Sequence, residues 1–308
     1  MLFPCIFELT IFQKYLILMR NKNLISLLSS LIILLAGLAS ALGIYLKGDD
    51  GSYTYQSIRG EKVEVYGRGL YQHMSADVAI QGIAQDYVTL FAAIPLLIIA
   101  LTALRNGSFR ARFVLAGTLG YFFVTYLFYT AMAMYNFLFL VYVALLGLSF
   151  FALINTLLSF DLKSLKERFK TNAPRKWVGG FLIFSSIAIA LLWLSVVVPP
   201  LLEGNVYPES LQHYTTLIVQ GFDLGLLLPI SFVNGVLLVK NRALGYLAGT
   251  TFIVFLAILM TALTAKVIAM MLNGDNVIPV IFIIPTFNLV AIICAIGMVR
   301  GVRAQVSD

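Results

Sequence analysis

Eight apolar runs divide this 308-residue chain, each long enough at helical rise to cross a hydrocarbon layer of ~30 Å. They cover 24–46, 79–104, 113–134, 137–158, 178–200, 217–239, 243–271 and 279–299. In lipid every backbone N–H and C=O must find its partner within the protein, so runs of this length are expected to be helices. Charged residues make up only 11% of the chain, against roughly a quarter in soluble domains. The predicted fold class is an all-α integral membrane protein with eight transmembrane helices.

The connecting segments alternate in charge, and the alternation predicts topology. Lys14, Arg20 and Lys22; Arg105, Arg110 and Arg112; Lys163, Lys166, Arg168, Lys170, Arg175 and Lys176; Lys240 and Arg242; and Arg300 and Arg303 share one side. The acids Asp49, Asp50, Glu61, Glu64 and Asp77, then Glu203 and Glu209, then Asp275 share the other. Basic loops are retained in the cytoplasm, so both termini are expected there. The net charge of +7 is then mostly topological, and no basic, aromatic-interleaved segment points to nucleic acid. The expected partner is the lipid bilayer, and the candidate ligand is a small-molecule solute. The stretch DLKSLKERFKTNAPRK at 161–176 is basic and amphipathic and is expected to rest on anionic lipid. Residues 1–18, interrupted by Pro4, Glu8 and Lys14, are too short to span; they read as lying upstream of a start at Met19, or as an interfacial helix. Cys5 and Cys294 supply no disulfide framework and no paired-thiol motif.

The two histidines stand in matching contexts. Gln72-His73 is followed by Gln81-Gly82, Asp86, Pro95 and a turn at Arg105-Asn106-Gly107, and Gln212-His213 by Gln220-Gly221, Asp223, Pro229 and a turn at Lys240-Asn241-Arg242. This shared order predicts a duplicated unit: repeats at 24–158 and 178–299, preceded by a cytoplasmic segment at 1–23, joined by a linker at 159–177 and followed by a tail at 300–308. Four helices are an even number, so both copies enter from one side. Two parallel-repeat four-helix bundles about an axis along the membrane normal are expected. Between helices 1 and 2, SYTYQSIRGEKVEVY at 52–66 alternates around Arg59-Gly60 and predicts a small extracytoplasmic β-hairpin. Pro95 and Pro229 predict paired kinks in helices 2 and 6.

Ionisable groups inside spans are costly and mark function by default. Asp86, Asp223 and Lys266, with His73, Gln81, Gln85, His213 and Gln220, are expected to gather at the outer mouths of helices 2 and 6, which are expected to line the interface between halves. One reading is a substrate-binding site facing outward. The other is a set of helix-end groups at headgroup level, the acids favoured there by the helix dipole. No His-x-x-x-His or Cys-x-x-Cys supplies zinc ligands, and no nucleophile elbow, phosphate loop or dinucleotide fingerprint occurs. No metal, cofactor or catalytic residue is assigned.

The phrases VYGRGLY at 65–71, QDYVTL at 85–90 and YNFLFLVYVA at 135–144 resemble a group of prokaryotic multi-pass membrane proteins with no assigned activity. That resemblance implies a prokaryotic cytoplasmic membrane. The eight-helix plan is also similar to haem A synthase, whose haem-ligating histidines lie on even-numbered helices of both halves. Here helices 4 and 8 carry none, and His73 and His213 precede their helices, so the likeness is architectural. The functional expectation is a transporter-like or solute-binding permease. The alternatives are a membrane-embedded enzyme or cofactor protein using the paired histidines, and a non-catalytic assembly or sensor subunit.

Overall fold

The structure, a computed structural model, describes residues 22–46, 48, 51–204 and 207–303. The N-terminal stretch read as an alternative start or an interfacial helix lies outside these residues. Eight helices long and apolar enough to cross a membrane are present among them: α1 (Lys22–Tyr45), α2 (Ala76–Arg105), α3 (Phe109–Met132), α4 (Phe139–Leu158), α5 (Arg175–Leu202), α6 (Ile218–Val239), α7 (Ala243–Leu272) and α8 (Val280–Gly301). The chain is thus an all-α polytopic membrane protein. Strands β1 (Tyr53–Gln56) and β2 (Lys62–Val65) pair antiparallel between α1 and α2, with Tyr53 opposite Val65 and Gln56 opposite Lys62.

Helices α2 and α6 each contain one π-helical segment, Thr89–Ala93 and Asp223–Leu227, and in each the proline follows within two residues. Proline lacks an N–H and its ring crowds the carbonyl four residues earlier. Widening the preceding turn by one residue relieves the clash without ending the helix. The paired irregularities expected at Pro95 and Pro229 are therefore π-bulges on their N-terminal sides.

Sequential neighbours pack in both halves: α2 on α3 and α3 on α4, α6 on α7 and α7 on α8. Helix α7 also packs along α2 and α3, which makes it the hub of the molecule. The interface between halves is built on α7, which packs along both α2 and α3; α2 thus lines it as expected, whereas α6 reaches α3 through its first turns. At Gly117 of α3 an added Cβ would lie 2.5 Å from Val254 of α7, so only glycine permits this approach. The Gly245/Gly249 pair of α7 faces Leu237 and Leu238 of α6, inside the second half. One contrast separates the halves: α1 packs broadly on α4, whereas α8 meets α5 at few positions, among them Phe287 against Phe181 and Phe184. The linker after α4 turns its apolar side to the protein. Leu165 and Phe169 are buried, Phe169 pairs with Val302, and its ring centroid lies 4.6 Å from that of Tyr246.

Candidate functional site

A cavity of about 150 Å³ lies where α2, α3, α6 and α7 meet. Gln81 and Gln85 reach it from α2, Tyr129 from α3, Asp223 from α6 and Lys266 from α7, and Tyr71 closes one end from the loop before α2. The remaining walls are mostly apolar, among them Val124, Phe128, Leu259 and Leu263. Asp223 and Lys266 stand about 8 Å and 9 Å inside the loop-side ends of their helices.

Asp223 accepts a hydrogen bond from Trp193 Nε1 at 2.7 Å across the α5/α6 contact. Lys266 has no hydrogen bond and no ion pair within 4.0 Å among the described residues. It lies within the electrostatic reach of both Asp223 and Asp86. A lysine in a span without a bonded counter-ion has three donors to offer a ligand.

Asp86 sits behind the cavity wall rather than in it, only 2% exposed. Tyr71 Oη donates to its Oδ2 at 2.5 Å and Tyr129 Oη to its Oδ1 at 3.0 Å. Both phenols line the cavity, so their hydroxyls separate the carboxylate from the open space. Burial, and the carboxylate beside it, push the Tyr71 phenol well above its ordinary value, which keeps it a donor. The aromatic shell continues outward, with the Tyr129 and Tyr142 ring centroids 5.3 Å apart and Tyr126 stacked on Tyr142. Gly43 on α1 makes the room: a Cβ there would fall 1.8 Å from Asp86 Oδ2. Gln85 is also buried, donating to Tyr121 Oη at 2.7 Å and Thr125 Oγ1 at 3.2 Å.

The bulges and prolines set a common register for α2 and α6. In it Thr89–Ala93 matches Asp223–Leu227 and Pro95 matches Pro229, so Asp223 takes the place of Thr89 and Gln220 that of Asp86. The two carboxylates, expected as counterparts, thus lie about one helical turn apart in this frame.

The histidines lie elsewhere. His73 is exposed, and His213 Nε2 lies 3.1 Å from the His73 backbone carbonyl oxygen. They belong to a seam between the loops of the two halves. Gln212 Nε2 donates to both Asp77 carboxylate oxygens at 3.1 and 3.2 Å, and Tyr214 Oη lies 3.4 Å from Ser75 Oγ. Arg59 at the hairpin tip donates to the Gln212 carbonyl at 3.2 Å and to that of Tyr214, with its guanidinium 5.2 Å from the Tyr207 ring centroid. Burial pushes the Tyr214 phenol above its ordinary value. Gln220 is half-buried and does not line the cavity.

Of the expected set, then, Gln81, Gln85, Asp223 and Lys266 meet at one cavity, Asp86 stands behind its wall, and His73, His213 and Gln220 do not reach it. The expectation omitted Tyr71, Tyr129, Trp193 and Gly43. Tyr121, Tyr126 and Tyr129 inside one apolar run were the available signal, because phenols buried in a span need polar partners. No group of three or more histidines, cysteines and acids able to hold a metal occurs among the described residues. The arrangement is suited to binding a small polar molecule between a cation, a carboxylate and amide and phenol groups. Comparisons with protein-family models, with curated proteins and with solved structures find no significant match.

Proposed function

We propose that this chain is a solute-binding permease of a prokaryotic cytoplasmic membrane, with its site in the cavity between α2 and α6 walled by α3 and α7. One observation carries the reading: Asp223 and Lys266, of opposite formal charge, line one small cavity inside the spans. Ionisable groups at such depth are expensive unless they serve a ligand or a water path. At ~30 Å³ per water the space suits a small solute, with an acidic group directed to Lys266 and hydrogen-bonding groups to Gln81 and Gln85.

The charge alternation of the loops supports cytoplasmic termini and an outward-facing hairpin and seam. The matched π-bulges and the repeated neighbour order support an origin by tandem duplication, with an axis along the membrane normal. Neither histidine approaches the cavity, so the paired histidines supply no second reading.

Aqueous access tests the proposal. With Cys5 and Cys294 replaced by serine, Val219→Cys and Leu263→Cys are expected to react with a membrane-impermeant thiol reagent added outside sealed vesicles. If neither position reacts from either face, the cavity has no water path and the permease reading falls.

A further inference from the structure

A second space, a groove of about 490 Å³, runs between α2, α3, α7 and α8 toward the basic end of the molecule. We propose that it holds one acyl chain of an anionic glycerophospholipid whose phosphate rests on Arg300. The groove is lined by Ala92 and Leu96 of α2, Val254 and Ile258 of α7 and Ile292 of α8, with similar apolar neighbours, and among the described residues Arg300 is its one charged lining residue. Thr261, the other polar lining residue, is turned to the protein, its hydroxyl 2.9 Å from the Ala257 carbonyl and 3.2 Å from Asn288 Oδ1.

Length and charge choose the occupant. From Ile292 to Arg300 the groove follows α8 for about 12 Å, close to the ~15 Å hydrocarbon depth of one leaflet. Arg300 is exposed and has no hydrogen bond or ion pair among the described residues. Arg110, whose Nε donates to the Val302 carbonyl at 2.7 Å, and Arg168 and Arg303, joined by a 2.8 Å backbone hydrogen bond, add positive charge at the same end. A basic rim attracts anionic headgroups. An empty apolar slot, by contrast, would forfeit dispersion contacts along all four helices.

The test is lipid retention by the purified full chain, read by native mass spectrometry after exchange into equimolar phosphatidylglycerol and phosphatidylcholine. Wild type is expected to retain one phosphatidylglycerol in preference to phosphatidylcholine. Arg300→Gln should reduce that preference about fivefold while a lipid is still retained. Ala92→Phe, which adds a ring from an exposed position on the groove, should abolish retention of either lipid with the thermal midpoint unchanged. Equal retention of the two lipids by wild type, or an unchanged preference in Arg300→Gln, overturns the headgroup assignment. Undiminished retention in a folded Ala92→Phe protein overturns the groove. Arg300→Gln alters no cavity residue, so thiol access at Val219 and Leu263 reports on the permease reading separately.

Discussion

Asp86 and Asp223 stand by the same cavity in opposite halves, the first behind its wall and the second lining it. Asp86 is enclosed: two phenols donate to it, Gly43 lies against it, and α1 behind it is held by α4. Asp223 has one indole partner, lines the open space and belongs to the half in which α5 and α8 hardly meet. The phenol hydroxyls bonded to Asp86, not its carboxylate, face the space a ligand would enter. On the proposed permease reading, the contrast would give structural duty to the closed half and ligand duty to the open one.

Removing both donors from Asp86 should produce the largest loss. Tyr71→Phe with Tyr129→Phe leaves a buried carboxyl without its two phenol donors and is expected to destabilise by about 2–5 kcal/mol, measured by unfolding in detergent. Gly43→Ala comes next, at about 1–3 kcal/mol from the forced displacement of Asp86. Adding Asp86→Ser should recover part of that loss, a coupling that an additive pair would disprove. Trp193→Phe removes the one donor to Asp223 among the described residues and should cost only about 1 kcal/mol, because water in the cavity can replace the indole. A loss as large as that of the double phenol variant would erase the distinction between the halves. Smallest is the loop seam, where Gln212→Ala should cost about 0.5–1 kcal/mol and speed hydrogen exchange in 207–214. Tyr214 adds a pH signature to that seam. Its folded-state ionisation is raised, so its contribution is complete below the ordinary value of ~10 and is lost as pH rises beyond it. Absorbance titration of wild type against Tyr214→Phe would show a phenol ionising late, or else remove the effect.

The elements were largely legible in the chain because each follows from local information. Apolar length announced the eight helices, alternation around Arg59-Gly60 announced the hairpin, and Pro95 and Pro229 marked where α2 and α6 depart from regular geometry. Asp86, Asp223 and Lys266 stood out for the same reason, as charges inside hydrophobic runs. Partnership was less legible. Matching Asp86 to Asp223 by order along the chain differs by a turn from the register of the bulges, in which Asp223 stands at Thr89, and only helix geometry shows where the bulges lie. The histidines misled because similar flanking residues do not say which space a side chain reaches, and His213 meets the His73 carbonyl in the loop seam.

Hydropathy and loop charge therefore determined by themselves how often this chain can cross a bilayer and which residues are costly within it, because transfer from water depends on each segment's own composition. Tertiary structure alone decided that α7 forms the centre against both α2 and α3, that Tyr71 and Tyr129 shield Asp86, and that Lys266 shares a cavity with Asp223. Those outcomes turn on which faces of different helices meet. A missing Cβ at Gly117 or Gly43 settles such meetings across more than a hundred residues in one case and more than forty in the other, a distance over which no local pattern carries information.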